Sequence, residues 1–98
     1  MNAARITEME RRLNDCTAAT ADLTAQLERM EVLGEDMKAL FGYYGSAEWY
    51  EDREGEVPEG VAAGVLTEDA VYDQIMAVRD AAFQMLTLAT DILQNRLG

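Results

Sequence analysis

The sequence predicts an all-α fold, an antiparallel hairpin of two long helices that pairs into a dimeric four-helix bundle. Two apolar patterns with a helical period support this prediction, one near each end of the chain, and no segment alternates as a β-strand would. The predicted helices cover about residues 3–41, 47–53 and 68–97, with an irregular segment over residues 55–66. We expect residues 1–98 to form a single domain, because 98 residues is an ordinary length for one domain.

The first long helix is predicted from a heptad pattern. From Ile6, alternating steps of three and four residues reach eleven positions ending at Phe41, and nine of them are apolar or cysteine. A stripe with this 3.5-residue period is typical of coiled-coil packing. Gly34 interrupts the stripe, and a mid-helix glycine costs about 1 kcal/mol relative to alanine. It therefore marks either a bend or a position that admits a large partner side chain.

The second long helix is predicted from a capping signal and two apolar rows. Thr67 is suited to cap the helix, and the two acidic residues after it favour the first turn. One apolar row begins at Val71 and a second begins at Tyr72. An apolar stripe of this width predicts contact with two neighbours.

The two stripes suggest a register for the hairpin. If Phe41 lies beside Val71 in an antiparallel pair, Leu23 lies level with Ala89. Small side chains then face large ones in most layers, as close packing requires. The second row of the last helix keeps no partner in this register. Either a second hairpin covers it in a homodimer, or residues 43–66 fold back over it.

The charge of the chain narrows the choice of partners. The net charge is −11, and residues 46–73 hold nine acidic residues against Arg53 alone. Nucleic acid and anionic membrane surfaces carry the same sign, so we expect no direct binding to either. A protein with a basic surface is favoured instead. No apolar run has the length of a membrane span, and the first residues do not resemble a signal peptide, so we expect a cytoplasmic location.

The residue types disfavour catalysis. The chain has no histidine, which removes the commonest general base and the usual partners of nucleophilic serine or cysteine. Cys16 is the only cysteine and lies on the apolar stripe, so we expect a buried structural thiol. The carboxylates of residues 48–59 match no cation-binding loop and predict a solvated acidic surface. We therefore expect no enzyme, no catalytic or metal-binding residue and no cofactor.

The densest group of aromatic residues lies between the two long helices. With neighbouring acids it forms a candidate protein-contact patch, here named the aromatic corner: Tyr43, Tyr44, Glu48, Trp49, Tyr50 and Asp52. Tyrosine and tryptophan are frequent in interface hot spots, which supports a contact role. The alternative interpretation is a local core that closes the end of the hairpin.

The corner also carries a resemblance to a known family. The run Tyr43-Tyr44-Gly45-Ser46-Ala47-Glu48-Trp49-Tyr50 with Asp52 resembles the central signature of a small bacterial family of uncharacterised helical proteins, a domain of unknown function. Arg5-Ile6 with Met9-Glu10 resembles its opening, and Val57-Pro58 followed by Gly64-Val65-Leu66-Thr67-Glu68-Asp69-Ala70-Val71-Tyr72 resembles its third block. Gly55-Glu56 departs from the pattern. The resemblance implies a bacterial origin but assigns no activity, cofactor or catalytic residue.

The sequence therefore leaves the function unknown. The favoured interpretation is a non-enzymatic protein–protein interaction or structural module that forms a homodimer. The alternative is an acidic inhibitor, or nucleic-acid mimic, that binds a basic protein groove. Such binding would weaken steeply with salt, because contacts between exposed charges are screened.

Overall fold

The computed structural model describes residues 1–98 and contains no β-strand. Its elements are helix α1 (Ala3–Val32), helix α2 (Gly34–Tyr43), helix α3 (Ala47–Glu54), a 3-10 turn (Gly64–Leu66) and helix α4 (Ala70–Leu93). The all-α prediction is confirmed. The chain divides into two compact units, residues 1–37 and residues 38–98.

Helix α1 makes up most of the first unit. The Asn2 side chain caps it by accepting a hydrogen bond of 3.0 Å from the backbone N–H of Arg5. Along its polar face, Arg11 pairs with Glu8 at 2.6 Å and with Asp15 at 2.8 Å. The hydrogen bond from Arg11 lowers the pKa of the Glu8 carboxyl. Because these pairs are exposed, they contribute little to stability beyond favouring the helix.

The predicted apolar stripe of α1 is uncovered in the single chain. The helix contains no buried residue, and Ile6, Leu13, Leu23 and Leu27 are all exposed. Cys16 is exposed as well, so its expected burial is absent from the single chain. The heptad pattern therefore identifies the apolar face of α1 but not what covers it.

The long helix predicted over 3–41 is interrupted at Leu33. The backbone stays hydrogen-bonded there, because the Leu33 N–H donates to the Arg29 carbonyl at 3.0 Å and the Leu33 carbonyl accepts from Met37 at 2.9 Å. The interruption falls beside Gly34, the residue with the weakest helix preference in this stretch. A Cβ placed at Gly34 would meet no atom within 4 Å, so the space beside it is open in the single chain.

A tight turn connects α2 to α3 within the second unit. Helix α2 ends at Tyr43, slightly beyond the predicted end. Gly45 then adopts a φ of +78°, which only glycine takes without strain. The Ser46 side chain accepts from the Trp49 backbone N–H at 3.2 Å and so caps α3. Gly45 and Ser46 together therefore end one helix and start the next.

Helix α4 is shorter at both ends than the predicted 68–97. Thr67 accepts from the Ala70 N–H at 3.3 Å, but the helix itself begins at Ala70. At the other end Asn95 adopts a φ of +55°, and the Arg96 N–H donates to the Asp91 carbonyl at 2.8 Å. This is a Schellman termination, which stops the helix before Leu97 even though that residue fits the apolar row.

The core of the second unit is small. Trp49 and Val71 are each only 3% exposed, and no other residue of the chain is buried. The second apolar row of α4 is uncovered over its later part, because Phe83, Leu86 and Leu93 are 57%, 64% and 86% exposed. None of the helices combines the length and the apolar character that a membrane span requires.

The two-residue core predicts an uneven sensitivity to substitution. We expect Val71→Ala to lower the free energy of unfolding by about 2 kcal/mol, because it removes two buried methyl groups and leaves a cavity. Urea denaturation followed by the fluorescence of Trp49, the sole tryptophan, measures the change. Val61→Ala is the matched control at an exposed valine, with an expected change within about 0.5 kcal/mol. Equal effects of the two substitutions would contradict this description of the core.

Candidate functional site

Trp49 is the fixed centre of the aromatic corner. Its ring is buried beneath the surface of the second unit, and its indole Nε1–H donates to the Val65 carbonyl at 3.0 Å. A buried indole N–H needs such a partner, since an unpaired one costs about 1–3 kcal/mol. This hydrogen bond therefore ties α3 to the 3-10 turn at Gly64–Leu66.

Two tyrosines pack edge-on against the indole. Tyr44 and Tyr50 each lie with a ring centroid 5.0 Å from that of Trp49, at interplanar angles of 68° and 77°. Such edge-to-face pairs match the charge distribution of aromatic rings. The Tyr44 hydroxyl also donates to the Glu68 carbonyl at 2.9 Å. Tyr44 therefore connects the turn after α2 to the start of α4, whereas Tyr50 keeps an exposed face.

Arg53 packs against the aromatic corner and was not among the residues predicted for it. Its guanidinium carbon lies 4.6 Å from the Trp49 ring centroid, and a guanidinium nitrogen lies 3.7 Å from the Glu68 carboxylate. The stacking is a cation–π contact, favoured because arginine is weakly hydrated. The available signal was its position, four residues after Trp49 on one helix and the only base in an acidic segment.

Tyr43 and Asp52 form the shortest side-chain contact of the corner. The Tyr43 hydroxyl donates to the Asp52 carboxylate at 2.5 Å. That hydrogen bond, together with partial burial and the negative charges of Asp52 and Glu48, raises the pKa of Tyr43 to about 12. The phenol is therefore held as a neutral donor and does not act as a base near neutral pH.

The structure brings the six predicted residues of the aromatic corner into the second unit but gives them different exposures. Trp49 is buried, Tyr43 and Tyr44 are half-buried, and Glu48, Tyr50 and Asp52 are exposed. The local-core interpretation therefore describes Trp49. The contact-patch interpretation stays a prediction, and the exposed members are the ones that a partner could reach.

The aromatic corner can interact with a ligand through hydrogen bonds and through charge. Phenol hydroxyls, carboxylates and one guanidinium lie on the surface, and no group of three or more Cys, Asp or Glu side chains could hold a metal ion. The only thiol, Cys16, lies on α1 and outside this unit. The corner is thus equipped to bind a partner through polar and aromatic contacts.

The hydrogen bond between Tyr43 and Asp52 predicts that the Tyr43 hydroxyl loses its proton at a raised pH. We expect one tyrosine to titrate near pH 12, and Asp52→Asn to lower its pKa toward the ordinary 10.0. Because the folded-state pKa is raised, this pair stabilises the folded protein below pH 10, and that contribution is lost as the pH rises from 10 to about 12. Tyrosinate absorbance measures the titration, and Tyr43→Phe assigns the component by removing it. Absence of a component near pH 12 in the parent protein, or its persistence in Tyr43→Phe, would contradict the pairing.

Comparisons with known proteins place the chain in a family without supplying an activity. No curated protein and no solved structure matches it. A family model described as "Domain of unknown function (DUF4298)" matches residues 6–88, and that range includes the whole aromatic corner. The match supports the resemblance to an uncharacterised helical family. Because it spans most of the chain, this protein belongs to the family described as Domain of unknown function (DUF4298).

Proposed function

We propose that this chain is a non-enzymatic protein–protein interaction module. The apolar faces of its two long helices, α1 and α4, assemble with a second copy. Its aromatic corner contacts another protein that carries a basic surface. The observation that carries the proposal is the exposure, in the single chain, of the apolar stripe of α1 and of the later part of the apolar rows of α4. Contiguous exposed apolar surface of this kind marks an interaction site in proteins, because a partner that covers it removes the apolar area from water.

The assembly that accounts for both stripes is a pair of antiparallel hairpins. In this arrangement the stripe of α1 packs on the first row of α4, with Leu23 level with Ala89. The second row of α4, which includes Phe83 and Leu86, packs on the second copy to complete a four-helix bundle. The open space beside Gly34 is compatible with this register, because a side chain of the facing helix could enter it.

The homodimer predicts a native mass of twice the chain mass of 10.9 kDa. Light scattering behind a sizing column, over a hundredfold range of concentration, measures it. We expect Phe83→Glu to give monomer, since a carboxylate cannot be buried unpaired at the interface. Gln84→Glu adds the same charge at the neighbouring exposed position and should leave the dimer intact.

The hairpin register is distinguished from other pairings by cross-linking in the same dimer. Leu23→Cys with Ala89→Cys, in a Cys16→Ala background, should form a disulfide within one chain. Ready linkage of positions one helical turn away, without linkage of this pair, would contradict the register. A monomeric parent protein would contradict the assembly itself.

The aromatic corner is proposed as the second contact surface. Tyr50 is 55% exposed and lies edge-on against the buried Trp49, so its ring is held in place before any partner arrives. Pre-ordered aromatic side chains lose little conformational entropy on binding, which favours their use as anchors. The exposed carboxylates of Glu48 and Asp52 beside it favour a partner with basic residues.

The corner's role is tested by substitutions at its exposed residues. We expect Tyr50→Ala to weaken binding of a captured and purified protein partner by about tenfold or more, as for an interface hot spot. Glu48→Lys should weaken it as well, and Glu28→Lys is the matched control, an exposed helical glutamate in the first unit. Unchanged affinity for Tyr50→Ala and Glu48→Lys would remove the corner from the interface.

A further inference from the structure

We propose that an open cleft beside the aromatic corner binds a basic peptide segment of a partner protein. One arginine or lysine side chain of that segment lies between an apolar wall and an acidic rim. This inference rests on the proposed interaction function and deepens it by naming the chemistry of the partner. The cleft lies wholly within the second unit, between α3 and the segment that leads to the 3-10 turn.

The wall of the cleft is apolar and open to a ligand. The cleft has a volume of about 520 Å³, within the range of about 300–1,000 Å³ that ligand pockets occupy. Val57, Pro58, Val61 and Leu66 supply much of its lining. Val57 and Val61 are 41% and 57% exposed, so a large part of each side chain is left open to a ligand. A ligand with apolar groups would release water from this wall on binding.

The cleft is held open by contacts that are already made in the free chain. The Trp49 indole holds the carbonyl of Val65 at one side, and the bond from Tyr43 holds Asp52 at the other. Between them the Val61 N–H donates to the Pro58 carbonyl at 3.2 Å, in a turn whose third residue, Gly60, has a φ of +84°. Such a turn requires a residue that tolerates a positive φ. The binding surface therefore forms with little ordering on association.

The rim carries negative charge that the chain itself does not balance. Glu51, Asp52 and Glu56 line the cleft, and none of them forms an ion pair. Arg53 is the only base in this part of the chain, and it is engaged by the Trp49 ring and the Glu68 carboxylate. A compensating cation must come from outside the chain.

The shape of the site favours an organic cation over a metal ion. The carboxylates are not grouped as a metal site. The apolar side chains of the wall have no atom that could coordinate a metal ion. Arginine and lysine combine an aliphatic stem with a charged head, so the stem can lie along Val57 and Val61 while the head reaches the rim. Apolar residues that flank the basic one in the peptide would cover the rest of the wall.

The experiment uses the full chain and a defined probe, the blocked peptide acetyl-Leu-Arg-Leu-amide. Backbone amide shifts of the isotope-labelled protein locate the site and give the affinity. We expect shifts at Val57, Val61 and Ala62, and binding about tenfold weaker for the citrulline peptide, which keeps the shape but lacks the charge. Acetyl-Gly-Arg-Gly-amide should also bind more weakly, because it cannot cover the wall.

The protein carries its own matched control in the same segment. Glu56 lines the cleft, whereas Glu59, in the adjacent turn, does not. We expect Glu56→Gln to weaken the peptide by about threefold and Glu59→Gln to leave its affinity unchanged. Val61→Ser should weaken it as well, and all three positions are exposed, so these variants keep the fold.

Three results would overturn the inference. Equal binding of the arginine and citrulline peptides would remove the rim from recognition, and equal binding of spermidine at the same amides would mean that the cleft binds any polycation. An absence of shifts at the cleft would remove the site. The proposed function is judged separately, since a partner that depends on Tyr50 but tolerates Glu56→Gln and Val61→Ser would sustain the function and reject the cleft. Peptide binding at the cleft, together with a partner that tolerates Tyr50→Ala and Glu48→Lys, would sustain the cleft and remove the aromatic corner from the interface.

Discussion

The buried indole of Trp49 is the constraint on which the second unit depends. A tryptophan on a helix of eight residues cannot bury its ring against that helix alone, and its Nε1–H must find an acceptor away from water. The acceptor is the Val65 carbonyl in the 3-10 turn, so the connection from α3 must return to the helix it has just left. Tyr44 then closes the arrangement from the other side by donating to the Glu68 carbonyl at the approach to α4. The connection between α3 and α4 is thereby held in place, although its only regular element is the short 3-10 turn at Gly64–Leu66.

The features of the fold that depend on interactions between residues close in sequence were predictable. The cap at Ser46 and the positive φ at Gly45 follow from rules that act over a few residues. The period of the apolar residues predicted the two long helical segments, and the weak helix preference of Gly34 marked the place where the first one is interrupted. The heptad pattern could not show what covers the stripe of α1, because periodicity specifies a face and not its partner.

The pairings that join distant residues could not be derived in the same way. Trp49 and Val65 are 16 residues apart, and Tyr44 and Glu68 are 24 apart. Each acceptor is a backbone carbonyl, and every residue has one, so no residue type signals it. The end of α4 shows a related limit, since the left-handed Asn95 terminates the helix although Leu97 continues the apolar row. In that case a local backbone conformation prevails over a side-chain pattern.

The residues that build the corner and the residues that a partner could touch are neighbours on one short helix. Trp49 and Tyr50 are adjacent, yet one is buried and the other exposed. The loss of Trp49 would therefore remove both the fold of the corner and any binding by it, and the two effects could not be separated. Arg53 adds to this coupling, because its contacts with Trp49 and Glu68 use the one positive charge of the segment internally. The same interactions that stabilise the corner thus leave its carboxylates unbalanced, and the negative surface is a consequence of how the fold is held together.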